Sequence, residues 1–99
     1  MQQTDIVVII DMKTEPEQAA PLKAFLQKGL ADIRGFDGCL SAALHVNQDD
    51  AANLMFIERW TSRERYEKYR AWRAERGDHA TLASMLVGPL MVRVFEVAE

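Results

Sequence analysis

Tyr66, Tyr69 and Trp72 recur every third residue in a stretch that reads as helix, so they drift slowly around one side of it. Such a row could offer a flat aromatic slot to a ligand, or it could pack against a sheet. His45 and His79 are the side chains whose ordinary pKa lies near neutrality, and either could serve as a base. The plainer reading of His45 is a half-exposed residue at a strand end, and of His79 a member of a helix's first turn. His79 is the stronger candidate because its segment would border the mouth of a pocket between helix and sheet. Arg59 and Arg93 are charges on otherwise apolar strands. A desolvated charge needs a partner. For a structural role that partner is Glu58, Glu96 or a carboxylate of a second chain; for a chemical role it is a substrate anion. Cys39, the only cysteine, reads as a small buried hydrophobe, which precludes an internal disulfide and suits a reducing compartment.

The segments that must position these residues follow from periodicity. Ile6 to Ile10 is a β-branched run between Asp5 and Asp11, so residues 5–13 should be a strand. Thr14 and Glu17 have the spacing of a capping box, with Pro16 in the first turn, and Leu22, Phe25, Leu26, Leu30 and Ile33 give the helix that follows a buried stripe to about Arg34. Gly35-Phe36-Asp37-Gly38 ends it. Cys39 to Val46 and Leu54 to Trp60 should form an antiparallel hairpin across a polar turn at residues 47–53. A second helix should start at Thr61 or Ser62 and run to about Arg76, before Gly77. Asp78 can cap a shorter helix carrying Leu82, Ala83, Met85 and Leu86; Gly88-Pro89 stops it, and Leu90 to Val97 is the last strand.

The resulting order β-α-β-β-α-β, with one short extra helix, predicts an α+β, ferredoxin-like fold: a four-stranded antiparallel sheet with the helices on one face. In a lone subunit the other face meets water and the strands should alternate apolar with polar. These do not. Strand one has five consecutive apolar residues, Leu54 to Ile57 has four, and Leu90 to Phe95 is interrupted only by Arg93. A sheet apolar on both faces needs a second cover, and the simplest is the same face of another copy, so a homodimer is expected.

Composition sets the outer bounds. At 99 residues, 48% hydrophobic and 27% charged, the chain has room for a single globular domain over residues 1–99. A net charge of -3 gives no electrostatic footprint for nucleic acid. Six of the twelve cations lie between Arg63 and Arg76, interleaved with Glu64, Glu67 and Glu75, a pattern that reads as a solvated helix face with ion pairs. Met-Gln-Gln-Thr-Asp has no basic leader, and Ile6 to Ile10 is too short for a signal peptide or a membrane span, so a cytoplasmic protein with no membrane partner is expected. There is no G-x-G-x-x-G, P-loop, G-x-S-x-G or metal-spaced histidine pair, which leaves nucleotide, serine-hydrolase and metallohydrolase readings without support.

Three stretches carry a resemblance. Phe56-Ile57-Glu58-Arg59-Trp60-Thr61-Ser62-Arg63-Glu64-Arg65-Tyr66 runs as apolar strand, Glu, one residue, Trp, one residue, Ser, then a helix with an early aromatic. Gly35-Phe36-Asp37-Gly38-Cys39 forms a loop between the first helix and the second strand, and Gly88-Pro89 precedes a Val/Phe-rich strand. In these the chain resembles the antibiotic biosynthesis monooxygenase (ABM) family of dimeric α/β barrels along nearly its whole length. The motifs specify a fold rather than a reaction.

The family includes cofactor-independent monooxygenases that oxidise aromatic polyketides or quinols, haem-degrading enzymes and proteins without known activity. The resemblance implies a site between sheet and helices in each subunit, with the opposite sheet face making the dimer. Many members carry a His on the second helix where this sequence has Tyr69. The Asn, Trp and His set of the haem-degrading members has no counterpart here: strand one lacks Asn, and the Trp position falls on Lys68 or Tyr69. The implied function is a monooxygenase that needs no cofactor, flavin, haem or metal and acts with O2 on a phenol, quinol or polyketide-like substrate. Tyr69 and His79 are then the catalytic candidates, and Tyr66, Trp72, His45 and Arg59 the substrate-binding ones. The competing readings are a binder of haem or another hydrophobic small molecule, and a non-catalytic dimeric domain.

Overall fold

The computed structural model describes residues 4–98. Among these, the chain forms β1 (Ile6–Lys13), a 3-10 turn (Pro16–Gln18), α1 (Ala19–Arg34), β2 (Cys39–Asn47), β3 (Asp50–Trp60), α2 (Arg63–Glu75), α3 (Asp78–Met85) and β4 (Met91–Glu96). The strands make one antiparallel sheet in the order β2-β3-β1-β4. This is the expected ferredoxin-like arrangement.

Period-two alternation assigns the faces. Ile6, Val8, Ile10 and Met12 of β1 lie opposite Trp60, Glu58, Phe56 and Leu54 of β3, and all point toward the helices. The helices cover that face with Leu22, Leu26 and Ile33 of α1 and Tyr66 and Tyr69 of α2, all buried, and with half-buried Leu82 and Met85 of α3. The core divides in two: one cluster centres on Val8, Ile33, Trp60, Tyr66 and Tyr69, the other on Met12, Leu22, Leu26 and Leu54, with Ile10 touching both.

Four local expectations are corrected. Thr14 and Glu17 make no capping box, because Thr14 is still bound to the sheet through its N–H to the Ala52 carbonyl (2.9 Å), and its buried hydroxyl donates to the Met85 carbonyl instead. Its place as a cap is taken by a 3-10 turn entered from extended Glu15. The β2-β3 hairpin is tighter than predicted, since β3 starts at Asp50 rather than Leu54. Polar side chains support that extension: Asn47 Oδ1 accepts from the Asp49 N–H (2.8 Å), and Asn47 Nδ2 donates to Asn53 Oδ1 (2.9 Å). Asp78 does not cap α3; Gly77, at φ 82°, takes that position and frees the Asp78 carboxylate for ion pairs. Cys39 is half-buried at the edge of the core rather than fully buried.

Two further joints hold the sheet to the helices. Ser62 is the cap of α2, its Oγ accepting from the Arg65 N–H at 3.3 Å. Gly38 has φ 96°, and a β-carbon there would lie 2.5 Å from Arg65 Cβ, so the loop between α1 and β2 passes against α2 only because this residue is glycine.

Candidate active site

Between the two halves of the core lies a cavity of about 290 Å³, near the lower end of the ~300–1,000 Å³ typical of small-molecule sites. Ile10, Met12, Phe56 and Val92 of the sheet form its floor, Leu26, Gly29 and Ile33 of α1 one wall, and α2 and α3 the others. The division of the core explains the space: α1 packs on both clusters, while α3 carries no fully buried residue and closes its end only with half-buried side chains.

Glu58 breaks the apolar floor. It sits on β3 opposite Val8 of β1 and Ala42 of β2, faces the helices, and is only 2% exposed. Trp60, two residues on and therefore on the same face, donates its Nε1–H to Glu58 Oε1 at 3.0 Å. Burial pushes the Glu58 carboxyl up to about 7, against the opposing pull of the Trp60 hydrogen bond and the Arg73 charge. A carboxyl with that value exchanges a proton readily at neutral pH.

Across the cavity the phenol of Tyr69 accepts a hydrogen bond from Arg73 Nη1 at 3.0 Å. Burial pushes its pKa up to about 12 despite the Arg73 charge, so Tyr69 keeps its proton and acts as a donor rather than a base. The Tyr66 phenol is likewise raised to about 12, first by burial. Arg73 is held from its far side by Asp78 Oδ2 at 2.9 Å, and only 14% of its side chain is exposed. A β-carbon at Gly29 of α1 would meet Arg73 Nη1 at 2.9 Å. Gly29 is thus the gap through which the guanidinium reaches Tyr69.

Of the residues singled out in the sequence, Tyr66, Tyr69 and His79 line the cavity. His79 stands at its exposed rim, where desolvation and the charges of Arg70 and Arg73 hold its pKa below the ordinary value, leaving a neutral imidazole at neutral pH. Trp72 lies outside the lining; it packs on Phe36 and Tyr69, with the Arg76 guanidinium 4.5 Å from its ring. Helical drift of 300° per three residues carries it past the cavity edge. His45 and Arg59 point to the opposite face of the sheet, since their register partners Met55 and Val7 alternate with inward-facing residues. His45 Nδ1 lies 3.4 Å from the Met55 carbonyl, and Arg59 pairs with Asp5 at 3.5 Å rather than with Glu58. Adjacent strand residues face opposite sides, so Arg59 and Glu58 could not have met.

Glu58 and Arg73 are not among the site residues the sequence suggests, where Glu58 enters only as an ion-pair partner, yet one has a legible signal. Leu54, Phe56, Glu58 and Trp60 alternate on one face, which places the carboxylate among core residues. Arg73 is concealed within a helix of paired charges: Lys68 with Glu64 behaves as the solvated face predicted, Arg70 pairs with Glu67 while lining the cavity, and Arg73 turns inward.

The profile of antibiotic biosynthesis monooxygenases matches residues 5–76, which takes in β1, the hairpin with Glu58 and all of α2. The chain belongs to the ABM family. Among solved structures, Rv0793 from Mycobacterium tuberculosis superposes with a TM-score of 0.88 at 25% identity, covering 97% of each chain. PA3566 from Pseudomonas aeruginosa gives 0.80 at 22% identity over 100% of this ABM chain and 99% of the other. SnoaB from Streptomyces nogalater, a cofactor-independent oxygenase solved as a single-residue variant, gives 0.83 at 11% identity over 97% and 95%. The last two likenesses show the shared fold. No curated protein matches the chain by sequence.

Proposed function

We propose that this ABM protein is a monooxygenase that needs no cofactor and oxidises a small phenol, quinol or polyketide-like aromatic with O2, working as a homodimer. The observation that carries this reading is the cavity itself: a largely apolar chamber whose polar groups include a buried carboxyl at Glu58 and a protonated phenol at Tyr69 backed by Arg73. That set suits a substrate which must lose a proton and then bear negative charge in a dry space. An electron-rich phenolate or enolate can pass an electron to O2 itself, which removes the need for flavin. In the oxidation of a ring CH2 to a carbonyl, the substrate gives up four electrons and two hydrogens and gains one oxygen atom, and the second oxygen leaves as water. SnoaB, of the same fold, is described as a cofactor-independent oxygenase.

Dimerisation is supported by the uncovered sheet face, which carries Ile9 and Ile57 side by side in register and leaves Ile57, Phe95 and Met91 exposed by 37%, 45% and 61%. Pairing through that face leaves each cavity intact on the far side of its sheet. An oxygen electrode with anthrone and a panel of hydroquinones and polycyclic phenols tests the activity. Wild type should consume O2 faster than buffer without added cofactor or metal. Tyr69→Phe should slow it, by up to the ~10²- to 10⁴-fold that a positioned donor contributes. A wild type no faster than buffer across the panel would remove the oxygenase reading.

A further inference from the structure

The substrate's proton has four possible takers at this cavity, His79, Tyr66, Tyr69 and Glu58, and Tyr66, its phenol raised to about 12 by burial, keeps its own proton. His79 stands at the exposed rim, away from the apolar floor. Tyr69 holds its own proton and is already occupied as the acceptor of the Arg73 N–H. Glu58 is the basic group set into the floor, where Trp60 donates to one of its oxygens and the carboxyl lines the cavity.

We propose that Glu58 takes the proton from a phenolic or enolic O–H of the substrate, and that the Tyr69–Arg73 pair receives the oxyanion so formed. This rests on the oxygenase reading for its substrate class but concerns the acid–base step alone. The substrate O–H bond breaks, its electron pair stays on the substrate oxygen, and the proton forms an O–H bond on Glu58. The cavity holds one negative charge before and after, so the step adds no buried charge; the cost of desolvating an anion is already present in the free protein. That cost is visible in the raised Glu58 pKa, which brings the carboxyl toward that of an acidic phenol and makes the transfer nearly balanced. The oxyanion then lies where Tyr69 O–H can donate to it, with the Arg73 guanidinium directly behind. Gly29 is a positioning residue in this scheme, because a methyl group there displaces the Arg73 guanidinium, the free end of a long side chain, without forcing the backbone to move.

The test uses 4-cyanophenol, whose neutral and ionised forms absorb at different wavelengths, titrated into the whole protein at a pH above about 7, where Glu58 is ionised, and below the probe's own pKa. Wild type should bind it as the phenolate. Glu58→Gln, which keeps an acceptor for Trp60, should bind it as the neutral phenol, and Gly29→Ala should bind it with a reduced phenolate fraction at an unchanged far-UV spectrum. With a turned-over substrate, Glu58→Gln should lower kcat by ~10²- to 10⁴-fold. Neutral probe on wild type, no saturable binding, or phenolate still formed on Glu58→Gln each overturns the proposal. Ionisation without O2 consumption by wild type upholds Glu58 and removes the oxygenase reading; O2 consumption indifferent to Glu58→Gln does the reverse.

Discussion

A carboxylate in an apolar floor is a stability cost, and Glu58 shows how large. The folded protein holds its proton up to about pH 7, whereas an unfolded chain releases it near 4.5. The Glu58 contribution to stability therefore falls as pH rises between those values and is level outside them, for a total of up to about 3 kcal/mol. The groups around Glu58 are Tyr66, Tyr69, Arg70 and Arg73 of α2, His79 of α3 and Cys39 of β2, while α1 offers Leu26, Gly29 and Ile33. Only His79 also titrates in this window, and its lowered pKa gives an opposite slope common to wild type and variant. Glu58→Gln should match wild type in stability at pH 4 or below and exceed it by up to about 3 kcal/mol above pH 7, as urea melts across pH would show. Equal stability at high pH would mean that the carboxylate is well solvated.

At the scale of elements, the joints matter more than the periodicity. Helix α2 carries Tyr66, Tyr69 and Arg73 into the cavity, and its start is set by Ser62, on the strand-to-helix turn directly after Trp60. Thr61 and Ser62 are both chemically able to cap. The Thr61 N–H bonds the Gly38 carbonyl at 2.9 Å, which orients that residue toward the neighbouring loop and leaves the cap to Ser62. Ser62→Ala should lower unfolding free energy by about 1 kcal/mol, and Thr61→Ala by distinctly less. Equal losses in chemical denaturation would contradict this assignment of the cap. Helix α3 is attached differently, by the Asp78 carboxylate to Arg73 and Arg76 at one end and by Thr14 and the Val87 N–H to β1 at the other.

At the scale of the whole molecule, the outer sheet face combines an apolar centre with a charged rim. Val7, Ile9, Ala43 and Ile57 lie together, while Asp11, Arg59, Arg93 and His45 surround them. An apolar centre inside a polar border is the anatomy of an association surface. Sedimentation at micromolar concentration should give about twice the 11.3 kDa chain mass. Ile57→Asp, on central strand β3, should yield monomer or insoluble protein. A wild type that sediments as monomer would leave the outer face without its proposed cover.

The sequence by itself determined the order of elements, the ferredoxin-like fold and the aromatic side of α2, because strand and helix periods are local and the apolar residues follow them closely. It also held the clue to Glu58 in the alternation from Leu54 to Trp60. Tertiary structure alone decided which residues meet. Thr14 looks like a cap until its neighbours in the sheet and at Met85 are known, and Trp72 belongs with Tyr66 and Tyr69 in sequence but packs beyond the cavity edge. Arg73 resembles any other cation of α2 until Gly29, 44 residues earlier, leaves room for it to reach Tyr69. Contacts between residues so far apart depend on how helices seat on the sheet, and no local period encodes that.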